Sequence, residues 1–206
     1  LDIKLNYSNT LTMARIGFIP FFLVFLFSKM TYGSTIALFI FIVASLTDWY
    51  DGRLARERNE VTEFGKFLDP IADKLLVFSA FISFVQLELV PTWMIVVMIG
   101  REFLITSLRM VAISNQNNVL PSELSGKHKT AWHIATIITI LVIISSQKIY
   151  DWKAVLENNG DAGMHLSAFI KTIPYIMTVI CAVYSIYSAY DFIKKNRGHF
   201  FEKPAH

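Results

Sequence analysis

Long apolar runs alternate with short polar breaks along the whole chain. The first run covers Leu11–Phe27, with Arg15 near its start and Pro20 inside, and Asn9 or Thr10 is placed to cap it. Proline in a helix interior predicts a kink there. A turn at Ser28–Ser34, with Gly33, precedes a second run from Thr35 through Asp51. A charged link over Arg53–Lys66 follows, and a third run starts near Phe67 and ends near Leu87, with Pro70 suited to its first turn. Further runs span Thr92–Ile113, Thr130–Ser146 and Ser167–Phe192, the last interrupted by Pro174. At a rise of 1.5 Å per residue, about 20 residues span a hydrocarbon core of ~30 Å. The pattern predicts an all-α integral membrane protein. Six transmembrane helices form one domain over residues 1–206, and Leu1–Asn9 lies on the membrane surface.

Composition agrees. Hydrophobic residues make up 54% of the 206 positions and charged residues only 17%, more apolar than a soluble domain of this size requires. No cleavable signal peptide is expected, since the first apolar run lacks a small-residue cleavage site and more runs follow. The lone Cys181 sits in an apolar run and reads as packing. Trp152, in the polar link before the last run, suits an interface position. The net charge of +3 gives no reason to expect a nucleic-acid partner, but its distribution is informative. With six crossings, Lys4, Arg53, Arg56, Arg58, Lys66, Lys127, Lys129, Lys194, Lys195, Arg197 and Lys203 fall on one side. Lys29, Lys148, Lys153 and Lys171 fall on the other. The positive-inside rule then puts both termini, and the end of the second run, in the cytosol at the cytoplasmic membrane.

That end carries the chemistry. Asp48 and Asp51 are three apart, and Asp69 and Asp73 are four apart across the charged link. Residues so spaced share a helix face. Antiparallel helices joined by a short link bring both pairs to one end. Carboxylates at a membrane edge are costly and point to function. Four together need cations, and oxygen-only donors suit Mg²⁺ or Mn²⁺. Two such ions could neutralise phosphate oxygens, while a carboxylate takes a proton from an attacking hydroxyl. Gly52 and Gly65 allow close approach, and Arg56 can fork onto a phosphate. These parts suit a substrate that is half phosphate and half lipid.

The run Asp48-x2-Asp51-Gly52-x2-Ala55-Arg56-x8-Gly65-x3-Asp69-x3-Asp73 resembles the signature of the CDP-alcohol phosphatidyltransferase family, with every fixed position filled. Asn9-Thr10-Leu11-Thr12-x2-Arg15 resembles that family's first-helix motif. Arg101-Glu102-Phe103, Leu108-Arg109 and Gly126-Lys127-His128-Lys129-Thr130 look like its phosphatidylglycerolphosphate synthase branch. The resemblance implies CDP-diacylglycerol and sn-glycerol 3-phosphate as substrates, with phosphatidylglycerol phosphate and CMP as products. It implies two divalent cations on Asp48, Asp51, Asp69 and Asp73, with Asp73 also the base on the acceptor hydroxyl. Gly52, Arg56 and Thr62 match positions that contact the CDP part, and Asn9 and Thr12 join them. By charge and placement, Arg101, Arg109, Lys127 and Lys129 are the candidates for the acceptor phosphate. A homodimer is also implied.

Plainer readings stand beside these. The aspartates could be solvated helix ends paired with Arg53 and Arg56. Arg101 and Arg109 could snorkel or pair with Glu102. Lys127 and Lys129 could be ordinary cytosolic-side charges, Gly52 a packing glycine and Thr62 a cap. The Tyr184, Tyr187, Tyr190 spacing reads as packing or an interface belt. A sister enzyme acting on inositol phosphate or serine keeps the same mechanism, and a cation transporter is the non-enzymatic alternative.

Overall fold

The computed structural model describes residues 7–58, 63–116, 124–149 and 160–196. Six helices account for nearly all of them: α1 (Tyr7–Phe27), α2 (Gly33–Arg58), α3 (Glu63–Gln86), α4 (Thr92–Gln116), α5 (Leu124–Ile149) and α6 (Gly160–Lys195). There is no strand among the described residues. Trp152 lies outside them.

Every helix is longer than its apolar run. The sequence pattern ends α2 near Asp51, yet the helix continues through Arg53-Leu54-Ala55-Arg56-Glu57-Arg58. These residues are among the strongest helix formers, so the backbone continues where the apolar surface stops. The charged stretch expected to be a link is also helical over Glu63–Lys66, in α3, and Pro70 falls inside that helix rather than in its first turn. Likewise α1 starts at Tyr7, so Asn9 and Thr10 lie within the helix rather than capping it, and Tyr7–Asn9 belongs to it rather than to a separate surface segment. The Gly126–Thr130 motif is helical, in the first turns of α5. Pro174 does not end α6, and the Thr178 hydroxyl, one turn on, donates to its carbonyl at 2.8 Å.

α1 packs on both α2 and α3, α2 on α5, α5 on α6, and α4 on α6 and α3. Phe22, Phe41, Phe81, Phe84, Met94, Met98, Ile137 and Leu141 are fully buried between them. The outside is also apolar: Val24, Phe39, Phe103, Phe169 and Val183 are each at least 60% exposed. A helix apolar all round is a core helix or a membrane span, and these exposed side chains are consistent with the second reading. His128–Ile149 and Ala168–Lys195 are each long and apolar enough to cross a bilayer. Met13–Phe27, Gly33–Thr47 and Lys74–Gln86 are shorter apolar stretches. The fold is all-helical and of membrane character.

Two turns fix the helix order on the side away from the acidic stretch. Between α1 and α2, the Ser28 hydroxyl donates to the Phe25 carbonyl at 2.8 Å and Gly33 N–H to Met30 O at 3.0 Å. The Lys148 ammonium, from the end of α5, donates to the carbonyls of Leu26 (3.3 Å) and Ser28 (3.0 Å). A Cβ on Gly33 would collide with Ser28 Oγ and stand 2.7 Å from the Phe25 carbonyl oxygen. The hydroxyl can rotate away, but the carbonyl cannot. Gly33→Ala is expected to lose about 1–3 kcal/mol, read as a lowered thermal midpoint in detergent. Between α3 and α4, Glu88 has φ of 58°. Its N–H reaches Val85 O (2.9 Å) and Leu89 N–H reaches Phe84 O (3.0 Å), the two bonds of a Schellman cap. Glycine suits that left-handed position better than glutamate. Glu88→Gly is expected to raise stability by about 0.5–1 kcal/mol in the same melt.

Candidate functional site

The acidic stretch straddles one short link. Asp48 and Asp51 lie on the continuous helix α2, and Asp69 and Asp73 on the continuous helix α3. Unbroken helical backbone gives each pair a shared face, at three- and four-residue spacing. Only residues 59–62 separate the two helices. Gly52 and Arg56 follow Asp51 on α2, and α1 carries Asn9 and Thr12. Thr62 lies outside the described residues, as do the side chains of the four aspartates, Asn9, Thr12, Arg56, Arg109 and Lys127.

The basic candidates are seen in more detail. Arg101 and Lys129, from α4 and α5, meet at one carboxylate, Glu102. Arg101 Nη1 donates to Glu102 Oε1 at 2.9 Å, and the Lys129 ammonium contacts the same oxygen. The other carboxylate oxygen faces Lys74 of α3, whose Nζ is 3.7 Å away and donates to Thr106 Oγ1 at 2.8 Å. Arg101 Nη2 donates to Ser188 Oγ of α6 at 2.8 Å. Four helices thus contribute to one ionic cluster. The side chains of Arg101, Glu102 and Lys129 are 11%, 14% and 7% exposed, while Lys74 is 35% exposed. Charges this buried are costly unless compensated, and here they compensate one another. Among the described residues the cluster sets Arg101, Lys129 and Lys74 around one carboxylate, and such cations suit an anion held by charge-assisted hydrogen bonds.

A polar seam runs on from the cluster between α5 and α6. His133 stacks edge-on against Phe81 (5.6 Å between centroids), with Nε2 3.5 Å from Ser185 Oγ. Thr136 Oγ1 is 3.2 Å from Cys181 Sγ, and both are buried. Small polar residues between apolar helices act as interhelical glue, and Cys181 is buried, as its apolar run predicts for a packing residue. Tyr187 and Tyr190 are exposed, as an interface belt requires.

Of the basic candidates, the structure joins Arg101 to Lys129. It adds Lys74 and Ser188, which sequence reasoning passed over, and it makes Glu102 the hub rather than a neighbour of Arg101 alone. Lys74 carried a signal, because it directly follows Asp73. Ser188 carried none, since nothing in the Tyr-Ser-Ala-Tyr stretch distinguishes it from other small residues of α6.

The profile of the CDP-alcohol phosphatidyltransferase family matches residues 5–159. A CDP-diacylglycerol–glycerol-3-phosphate 3-phosphatidyltransferase of Bacillus subtilis (strain 168) is 41% identical over 149 residues, covering 66% of this chain and 77% of the relative. The protein of the same name from Escherichia coli (strain K12) is 37% identical over 144 residues, 67% of this chain and 78% of its own. That of Pectobacterium atrosepticum is 31% identical over 175 residues, with 81% and 89% covered.

Proposed function

Because this chain belongs to the CDP-alcohol phosphatidyltransferase family, we propose that it transfers the phosphatidyl group of CDP-diacylglycerol to sn-glycerol 3-phosphate. The products are phosphatidylglycerol phosphate and CMP. The relatives that carry this activity in their names match it over most of their length. One observation favours a phosphorylated acceptor. Lys74, in the Glu102 cluster with Arg101 and Lys129, is the residue after Asp73. The basic cluster and the acidic stretch therefore adjoin along α3.

Arg101 and Lys129, with Arg109 and Lys127, hold the acceptor's phosphate by charge-assisted hydrogen bonds. Arg109 is two turns along α4 from Glu102, and Lys127 two residues before Lys129 on α5. Gly52, Arg56 and Thr62 contact the CDP part, with Asn9 and Thr12 from α1. Asp73 takes the proton from the acceptor hydroxyl, whose oxygen forms a bond to the phosphorus bearing diacylglycerol as the bond to CMP breaks. Asp48, Asp51, Asp69 and Asp73 are an all-oxygen donor set on two continuous helices, which fits two hard divalent cations, Mg²⁺ or Mn²⁺. Such ions supply charge neutralisation on the phosphate oxygens and the leaving group. Six crossings of the cytoplasmic membrane, an active site facing the cytosol and a homodimer complete the proposal.

The test is CMP release by purified protein in detergent, with CDP-diacylglycerol, Mg²⁺ or Mn²⁺, and glycerol 3-phosphate, inositol phosphate and serine in parallel. Release with glycerol 3-phosphate alone is expected. Release only with inositol phosphate or serine overturns the acceptor while keeping the family chemistry.

A further inference from the structure

We infer that Glu102 is a positioning residue for acceptor recognition: its carboxylate gathers cationic side chains of three helices into a preformed phosphate cradle. This rests on the reading of Arg101 and Lys129 as acceptor-phosphate ligands.

A carboxylate repels phosphate, so its place at the hub of an anion-binding cluster calls for another role. Both of its oxygens are engaged, and with different helices. Oε1 takes Arg101 of α4 and Lys129 of α5, and Oε2 faces Lys74 of α3. Lys129 is only 6% exposed, and a buried ammonium needs a counter-charge to stay charged and in place. Glu102 supplies one before any ligand arrives. Cations brought this close repel one another unless an anion sits between them. Thr106, one turn along the same face of α4, fixes the Lys74 ammonium at 2.8 Å. Ser188 fixes the far side of the Arg101 guanidinium. The donors are thus oriented in advance, and little ordering is left to the binding step. Because Lys74 follows Asp73, the same carboxylate ties the cradle's position to the helix that bears the proposed base.

Glu102 could instead merely cement α3, α4 and α5. Loss of cement disturbs both KM values and kcat together and lowers the thermal midpoint with them. Loss of positioning acts on one substrate. The experiment measures KM for glycerol 3-phosphate, KM for CDP-diacylglycerol, kcat and the thermal midpoint for wild type, Glu102→Gln and Glu102→Asp. For Glu102→Gln the account expects an acceptor KM raised about tenfold or more, with the CDP-diacylglycerol KM within about twofold of wild type. Glu102→Asp, which keeps the charge on a shorter arm, should recover part of the loss. If Glu102→Gln does not fold, Glu102→Asp carries the test, with a smaller rise confined to the acceptor. An unchanged acceptor KM, or both KM values moving with the midpoint, overturns the inference. Arg101→Gln and Lys129→Gln separate the two layers. If neither raises the acceptor KM, the phosphate reading itself fails. If they raise it and Glu102→Gln does not, only the positioning role fails.

Discussion

Asp73→Asn is expected to cripple phosphatidyl transfer, lowering kcat by about 10²–10⁴-fold. Asparagine keeps the size of the side chain and one carbonyl oxygen. It cannot take the proton of the acceptor hydroxyl, and it removes one negative charge from the donor set for divalent cations. The loss should appear as CMP release with saturating glycerol 3-phosphate, not as a failure to fold. Asp73 sits mid-helix in α3, between the buried Ala72 and the part-exposed Lys74, and an Asp to Asn change leaves that backbone undisturbed. Full turnover in Asp73→Asn would sink the base assignment.

The second large effect belongs to Lys129. Lys129→Gln is expected to lower kcat/KM for glycerol 3-phosphate by about 30- to 1000-fold, the range for losing a buried charge-assisted contact. Lys129 is the more decisive test among the cations of the cluster because it is nearly fully buried, whereas Lys74 is partly open to solvent. The variant leaves Glu102 facing Arg101 and Lys74, so the carboxylate keeps counter-charges and the helices keep their packing. The KM for CDP-diacylglycerol should therefore stay near wild type. Acceptor kinetics that are unchanged would return Lys129 to the plain reading, a cytosolic-side charge without a ligand.

The acidic stretch stands out in the sequence as a candidate because its cost is local. Carboxylates beside apolar runs stand out in a one-dimensional pattern, and their spacing fits a helix face whether or not the partner helix is known. The six helices among the described residues follow the order of the apolar runs for the same reason. Helix ends were not legible. Arg53–Arg58 and Leu124–Thr130 are helical in the structure, but hydrophobicity marks only the part of a helix that meets lipid or core, and propensity continues beyond it. The cap at Glu88 was hidden for a different reason. A glutamate at φ of 58° goes against its own preference, held there by the Val85 and Phe84 carbonyls and the packing of both helices.

The Glu102 cluster shows what sequence alone cannot reach. Arg101 and Lys129 were visible as charges, but the separation in sequence between Arg101 and Ser188, or between Lys74 and Glu102, is bridged only by the way α3, α4, α5 and α6 pack. No spacing rule joins them. Once joined, a basic patch becomes an organised site in which one carboxylate sets the geometry for several cations.

Transfer from CDP-diacylglycerol to glycerol 3-phosphate fixes the stoichiometry of its products. Purified protein in detergent micelles, given CDP-diacylglycerol, Mg²⁺ and isotopically labelled glycerol 3-phosphate, would be followed for label entering the lipid phase and for free CMP. The account predicts labelled phosphatidylglycerol phosphate and CMP in a one-to-one ratio, both lost on chelation of the divalent ion and both lost in Asp73→Asn. CMP released without label in the lipid would mean that water is the acceptor, and the absence of both products from a folded, metal-loaded protein would contradict the transferase assignment.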